Sequence, residues 1–169
     1  RDILRDTLAA LRLAKRPSEE VEFAPNMIWA GVLDGSGGTR NVVVTSDSSA
    51  RLLVRRYAEL GARQIKIYSR LQRRFVPAAV EEARRLGLRV GGHLAAGMSM
   101  EEAIRLGYDE VSHIPNLTAN FRGDSVYLGA PEFLWRGLRN AAVLDVESDS
   151  VRQFIALLKT NRVAVDPTL

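Results

Sequence analysis

The chain has no cysteine, which excludes disulfide staples, thiolate nucleophiles and cysteine-bound zinc. That absence leaves the compartment open, because secreted and periplasmic proteins can also do without the residue. No apolar run approaches the roughly 18 residues that would span a bilayer, so no membrane partner is expected. No leader peptide is visible either, but the chain opens on Arg1 and not on Met, so the true start is expected upstream. Lysine and histidine are also scarce. Of 24 basic residues only Lys15, Lys66 and Lys159 are lysine, and the histidines number 2. In a chain that so prefers arginine, each remaining lysine needs a reason.

What is present is ordinary for a globular protein: 169 residues, 46% hydrophobic and 26% charged, enough for one domain with its own core and too short for two. A net charge of +4 and a pI near 9.8 invite a nucleic-acid reading. The arginines, however, are spread along helices beside glutamate, as in Glu81, Glu82, Arg84 and Arg85. That pattern is a solvated helix face, and no nucleic-acid partner is expected.

Read for period, short β-rich runs alternate with helical stretches. Leu4, Leu8, Leu11 and Ala14 share one face of a helix over residues 3–15. Met27 to Leu33 is an apolar strand, followed by the turn Asp34-Gly35-Ser36-Gly37-Gly38 and the short extended piece Val42-Val43-Val44. Ser46-Asp47-Ser48 offers N-caps to a helix running to about Leu60.

A unit then repeats. A helix ends in Leu-Gly, and the strand that follows ends on a residue able to bind metal. Leu60-Gly61 leads to Lys66, Leu86-Gly87 to His93, and Leu106-Gly107 to His113, with the special residue five, six and six positions after the glycine. Glycine at a helix end supplies the left-handed residue that lets the chain reverse. Strands joined by helices of this length are parallel with right-handed crossovers, which predicts that all three residues emerge on one rim of one sheet. Parallel sheets place their ligand sites at the carboxyl ends of their strands. The only two histidines thus stand in equivalent places of consecutive units.

The remainder is looser. Residues 115–147 read as a long connection, a functional lid or a packed excursion, with a helix around Pro131 to Ala141. A helix from Ser148-Asp149 to about Thr160 leads into a last strand over Arg162 to Asp166. Asp166 is a carboxylate at a strand end, or equally the cap of a turn before Pro167.

Two imidazoles and an amine suit zinc, and also manganese, iron or nickel, provided the lysine gives up its proton. A neutral amine adds carbon dioxide to form a carbamate, an anion that can bridge two metals. Otherwise Lys66 is a strand lysine reaching solvent or pairing with a carboxylate. Other chemistries find no support. There is no G-x-S-x-G elbow, Ser99 reads as a helix N-cap, and the Gly35 to Gly38 loop lacks the ending of a P-loop.

The segments Ile65-Lys66-Ile67-Tyr68, Val90-Gly91-Gly92-His93-Leu94 and Glu110-Val111-Ser112-His113-Ile114 resemble the amidohydrolase superfamily, in its imidazolonepropionase-like and prolidase-like branch. So do Val76-Pro77 to Leu86-Gly87 and Glu101 to Gly107 between them, and the likeness extends over Trp29 to Gly35 and Phe154 to Leu169. The resemblance implies an α/β fold, a partial (β/α)8 TIM barrel covering roughly strands three to seven, with residues 1–169 as one incomplete barrel domain. It implies that Lys66 is the carboxylated bridging lysine of the fourth strand, with His93 and His113 the ligands of the fifth and sixth. Tyr68, two residues past the lysine, is then a substrate-side neighbour or a core residue. The implied cofactors are divalent metal, zinc foremost and binuclear in the full-length enzyme, and carbon dioxide held as the lysine carbamate. The implied reaction is hydrolysis of amide, peptide or related C–N bonds of a small-molecule or peptide-like substrate by a metal-activated water.

The family's His-x-His on the first strand and Asp on the eighth have no counterpart here. Arg1-Asp2 reads as the end of the second strand and Val163 to Asp166 as the seventh, so the isolated piece is expected to be inactive. The open edges of an incomplete barrel would favour homo-oligomers. The other reading is a non-catalytic α/β module that binds a small ligand or a protein.

Overall fold

The computed structural model describes residues 28–37, 42–119, 121, 139 and 142–168. The expected helix over 3–15, the strand end at Arg1-Asp2, Gly38 and most of the expected helix around Pro131 to Ala141 lie outside the described residues. In chain order the strands are β1 (Ala30–Leu33), β2 (Gln64–Ile67), β3 (Arg89–Gly92), β4 (Glu110–Ser112) and β5 (Ala164–Asp166). The helices are α1 (Asp47–Glu59), α2 (Val76–Arg85), α3 (Met100–Leu106), α4 (Ile114–Ala119) and α5 (Asp149–Thr160), with a 3-10 turn at Arg73–Phe75 ahead of α2. No described helix is long and apolar enough to cross a membrane.

The helix boundaries follow from local chemistry. Ser46 and Ser49 form a reciprocal capping box at the start of α1, and Ser99 accepts from Glu102 N at the start of α3. Gly61, Gly87 and Gly107 all adopt positive φ, at +90°, +69° and +108°, and each reverses the chain after a helix as its Leu-Gly pair implied. Ile114–Ala119 is helical, so the stretch after His113 begins as a helix and not as a loop.

Every strand pair is parallel, as expected from the helical crossovers. In β2, Ile65 and Ile67 are fully buried while Gln64 and Lys66 are half-buried, the period-two alternation of a strand with two unlike faces. The buried face turns to α1. Gly31, in register with Ile65, lies so close to the Tyr57 ring that a Cβ there would stand 2.1 Å from it, and Tyr57 Oη donates to Val32 O at 2.9 Å. Lys66 therefore stands on the face away from α1.

One expectation fails. The three site-bearing strands do not share a continuous ladder: β1, β2 and β3 form one sheet and β4 and β5 another. The break is made by a side chain. Asp109 N donates to Val90 O at 2.7 Å, but Val90 N donates to the Asp109 carboxylate at 2.8 Å, where a ladder would supply a backbone carbonyl. The two strands still lie close, because Gly91 has no side chain; a Cβ there would stand 2.8 Å from Glu110 Cβ. The observed class is α/β with two small parallel sheets.

The helices α1 and α2 are clamped by a charge cluster. The Glu82 side chain, 4% exposed, accepts from Arg55 Nε at 2.8 Å and Arg85 Nη2 at 2.6 Å, with Arg51 Nη1 3.8 Å away. Hydrogen bonds from Arg85 and Arg55 outweigh the burial that opposes ionisation and hold the Glu82 carboxyl down to about 2. A depressed carboxyl contributes stability that is present above its ordinary value of 4.5 and is lost as pH falls towards 2. Glu82→Gln should therefore lower the thermal midpoint at neutral pH, on the order of 5 °C for a domain of this size. The gap to the parent should close as the scan is repeated at falling pH. An unchanged midpoint at pH 7 would show the clamp to be a surface pair of no consequence.

Candidate metal centre

The three residues singled out by the repeat do meet. Lys66 is the third residue of β2, His93 follows β3 directly, and His113 follows β4 directly. Both histidines leave their strands on backbone anchors: His93 N donates to Ile67 O at 2.9 Å, and His113 N to Asp166 O at 2.7 Å. His113 takes φ +73°, a left-handed conformation that histidine tolerates better than branched residues do. Asn116 supports that turn, its N bonded to His113 O at 3.1 Å and its Nδ2 donating to Ser112 O at 2.6 Å.

The imidazoles stand edge to face with centroids 4.6 Å apart, and their Nε2 atoms are separated by 2.9 Å. Each outer nitrogen has a hydroxyl partner. Ser69 Oγ lies 2.7 Å from His93 Nδ1, and Thr168 Oγ1 makes a short contact with His113 Nδ1. Tyr68 stacks on His93 at 4.5 Å with the planes 28° apart, so the sequence-predicted Tyr68 is at the site. From the far side, Tyr108, fully buried, donates its hydroxyl to His93 O at 3.3 Å.

Electrostatics favour neutral rings. Burial first, then the charges of His113 and Lys66, push His93 down to about 4. His113 is lowered as well, by burial and then by Lys66, against an opposing pull from Asp166. At neutral pH both imidazoles thus keep lone pairs for a cation, the state that metal binding requires.

The donor set fits a divalent metal in part. Two neutral imidazoles present Nε2 atoms to one point while their Nδ1 atoms are held by hydroxyls, the arrangement in which outer partners orient metal-binding histidines. Among the described residues no three His, Asp or Glu side chains gather closely enough to hold a metal by themselves. Asp166 does not complete the set. Its Oδ1 accepts from Thr168 N at 3.1 Å, so it caps the turn before Thr168, one of the two roles open to it in the sequence.

Ser69 and Thr168 were not signalled by the sequence. Neither belongs to a metal-binding residue type, and each is placed by a turn. Ser69 lies in the turn closed by Leu71 N bonded to Tyr68 O at 3.1 Å. A rim position two or three residues past a strand end is the only signal that would have found either.

No family model matches the chain, and no curated protein matches it. Among solved structures it is similar to a bottromycin amidohydrolase, at 19% identity and a TM-score of 0.48, over 78% of this chain and 41% of that one. An uncharacterised protein is similar at 17% identity and a TM-score of 0.45, over 82% of this chain and 46% of that one. A Xaa-Pro dipeptidase with methionine bound in its active site follows at 18% identity and a TM-score of 0.38, over 73% of this chain and 38% of that one. The chain spans less than half the length of each of these structures.

Proposed function

We propose that this chain is the middle of a metal-dependent amidohydrolase barrel, in which Lys66, His93 and His113 are three of the ligands of a binuclear centre. The observation that carries the reading is the meeting of the only two histidines, Nε2 to Nε2 at 2.9 Å and both held neutral beside Lys66. The order lysine, histidine, histidine on successive strands supports the same family. On this reading the two sheets are arcs of one barrel wall, and further ligands come from chain that this sequence does not include.

When bound, a divalent metal supplies Lewis acidity that polarises a scissile carbonyl and makes water nucleophilic at neutral pH. The chain's own residues do the rest. His93 and His113 offer nitrogen ligands, Lys66 offers an anion once carboxylated, and Tyr68 covers one face of His93. The substrate class is a small molecule or peptide with an amide or related C–N bond.

The test is zinc binding by the purified chain, read by competition with a chromophoric chelator, with His93→Ala alongside. Uptake by the parent is expected, with loss in the variant beyond the roughly 10–100-fold that removal of a supporting hydrogen bond costs. No uptake by the parent, or equal uptake by the variant, would leave the non-catalytic binding module as the better account.

A further inference from the structure

The hydroxyls on the outer nitrogens raise a question of proton placement. Between two Nε2 atoms 2.9 Å apart, one must carry a hydrogen and the other a lone pair. In one arrangement His93 Nε2–H donates to His113, and His93 Nδ1 accepts from the Ser69 hydroxyl. In the other, His113 Nε2–H donates to His93, and His93 Nδ1–H donates to Ser69 Oγ. A cation binding both Nε2 atoms requires the hydrogen on both Nδ1 atoms. For His93 this is the second arrangement, with Ser69 as acceptor.

The position of Ser69 is fixed by backbone and not by its own side chain. Tyr68 N donates to Leu33 O at 2.9 Å, Leu71 N closes the turn on Tyr68 O at 3.1 Å, and Ala96 N holds Leu71 O at 3.0 Å. Gly35 presses on the same turn, where a Cβ would stand 1.8 Å from Arg70 O. The hydroxyl is thus carried on a clamped turn at 2.7 Å from a ring whose face is covered by Tyr68. A hydroxyl both donates and accepts, so it can follow the proton as it changes nitrogen, which a carboxylate or an amide nitrogen could not do equally.

We propose that Ser69 is a positioning residue that holds the hydrogen of His93 on Nδ1 and so keeps Nε2 open to a metal cation. The inference rests on the metal reading of the site, but its proton-placement half stands without metal. The balance is simple: the hydrogen leaves Nε2 and appears on Nδ1, the Ser69 hydroxyl turns from donor to acceptor, and no net proton is gained or lost. With Ser69 replaced by alanine, Nδ1 loses its partner. The hydrogen is then drawn to Nε2, where His113 accepts it.

The experiment uses the whole chain and two measurements. Nitrogen-15 spectra of the metal-free protein report the fraction of His93 carrying hydrogen on Nδ1, and a chelator-competition titration reports zinc affinity. Ser69→Ala should lower that fraction and weaken zinc binding by roughly 10–100-fold, the range for losing an outer-sphere partner. Ser69→Thr, which keeps a hydroxyl, should restore both. A merely structural role for Ser69 would not move the Nδ1 to Nε2 ratio in a folded variant, and an unchanged ratio overturns the proposal. So does a shifted ratio with unchanged zinc affinity. If the parent binds no zinc, the metal reading fails, while the spectra still decide whether Ser69 governs the proton.

Discussion

Gly92→Ala is expected to be the most destabilising single-methyl change in the described structure, and to disable the site as it does so. Two effects add at this position. Gly92 has φ +112°, which side chains other than glycine adopt at a cost, and a Cβ there would stand 2.6 Å from Ile67 O and 2.9 Å from Lys66 Cγ. The carbonyl cannot yield, because it accepts from His93 N at 2.9 Å and so ties β3 to β2. Strain of this kind with overpacking costs about 2–5 kcal/mol together. Gly97→Ala separates the two terms, since Gly97 has φ +74° and nothing within 4 Å of its Cβ position. Urea denaturation should show Gly92→Ala losing clearly more than Gly97→Ala. Equal losses would mean that conformation alone is at stake and that the close approach to Lys66 is slack. Either the Lys66 stem or the His93 anchor must move in the Gly92 variant, so zinc affinity should fall with stability, whereas Gly97→Ala should keep it.

This glycine shows which features the sequence displays and which it hides. Gly91-Gly92 before His93 marks a close backbone approach, and the structure supplies the partners: Glu110 against one glycine, Lys66 and Ile67 against the other. The strands and helices between 42 and 119 were legible because each burial pattern has a period and each helix end has its Leu-Gly. The split between β3 and β4 was not legible. It depends on one carboxylate, Asp109, taking the place of a ladder carbonyl at Val90, and nothing local distinguishes that Asp from an ordinary turn residue. Likewise Lys66, His93 and His113 could be found by residue type and spacing, while Ser69 and Thr168 could not. Hydroxyl residues are common in turns, and only three-dimensional placement shows that these two face imidazole nitrogens. The left-handed turn at His113 is of the same kind, set by Asp166 O and the Asn116 side chain acting from elsewhere in the chain.

Lys66→Met should separate the two roles that this lysine can play, a cation beside two imidazoles and, once carboxylated, an anion between two metals. In the metal-free protein the ammonium contributes to lowering both His93 and His113. Methionine keeps most of the volume and removes the charge, so both histidines should titrate at higher pH than in the parent. That outcome tests proximity alone. The carbamate is tested by carbon dioxide. If Lys66 binds metal as its carbamate, depleting carbonate from the buffer should weaken zinc binding by the parent, and restoring it should recover the loss. Lys66→Met should bind as weakly as the depleted parent and respond to carbonate in neither direction. In the full-length protein the bound metal should fall from about two to about one, as expected when the shared ligand of a two-metal site is lost. Carbon-13 bicarbonate adds a direct readout, because a carbamate carbon should appear in the parent and be absent from Lys66→Met. Zinc binding indifferent to carbonate in both proteins, with the histidine shifts still present, would leave Lys66 as a strand lysine near the histidines and not a ligand.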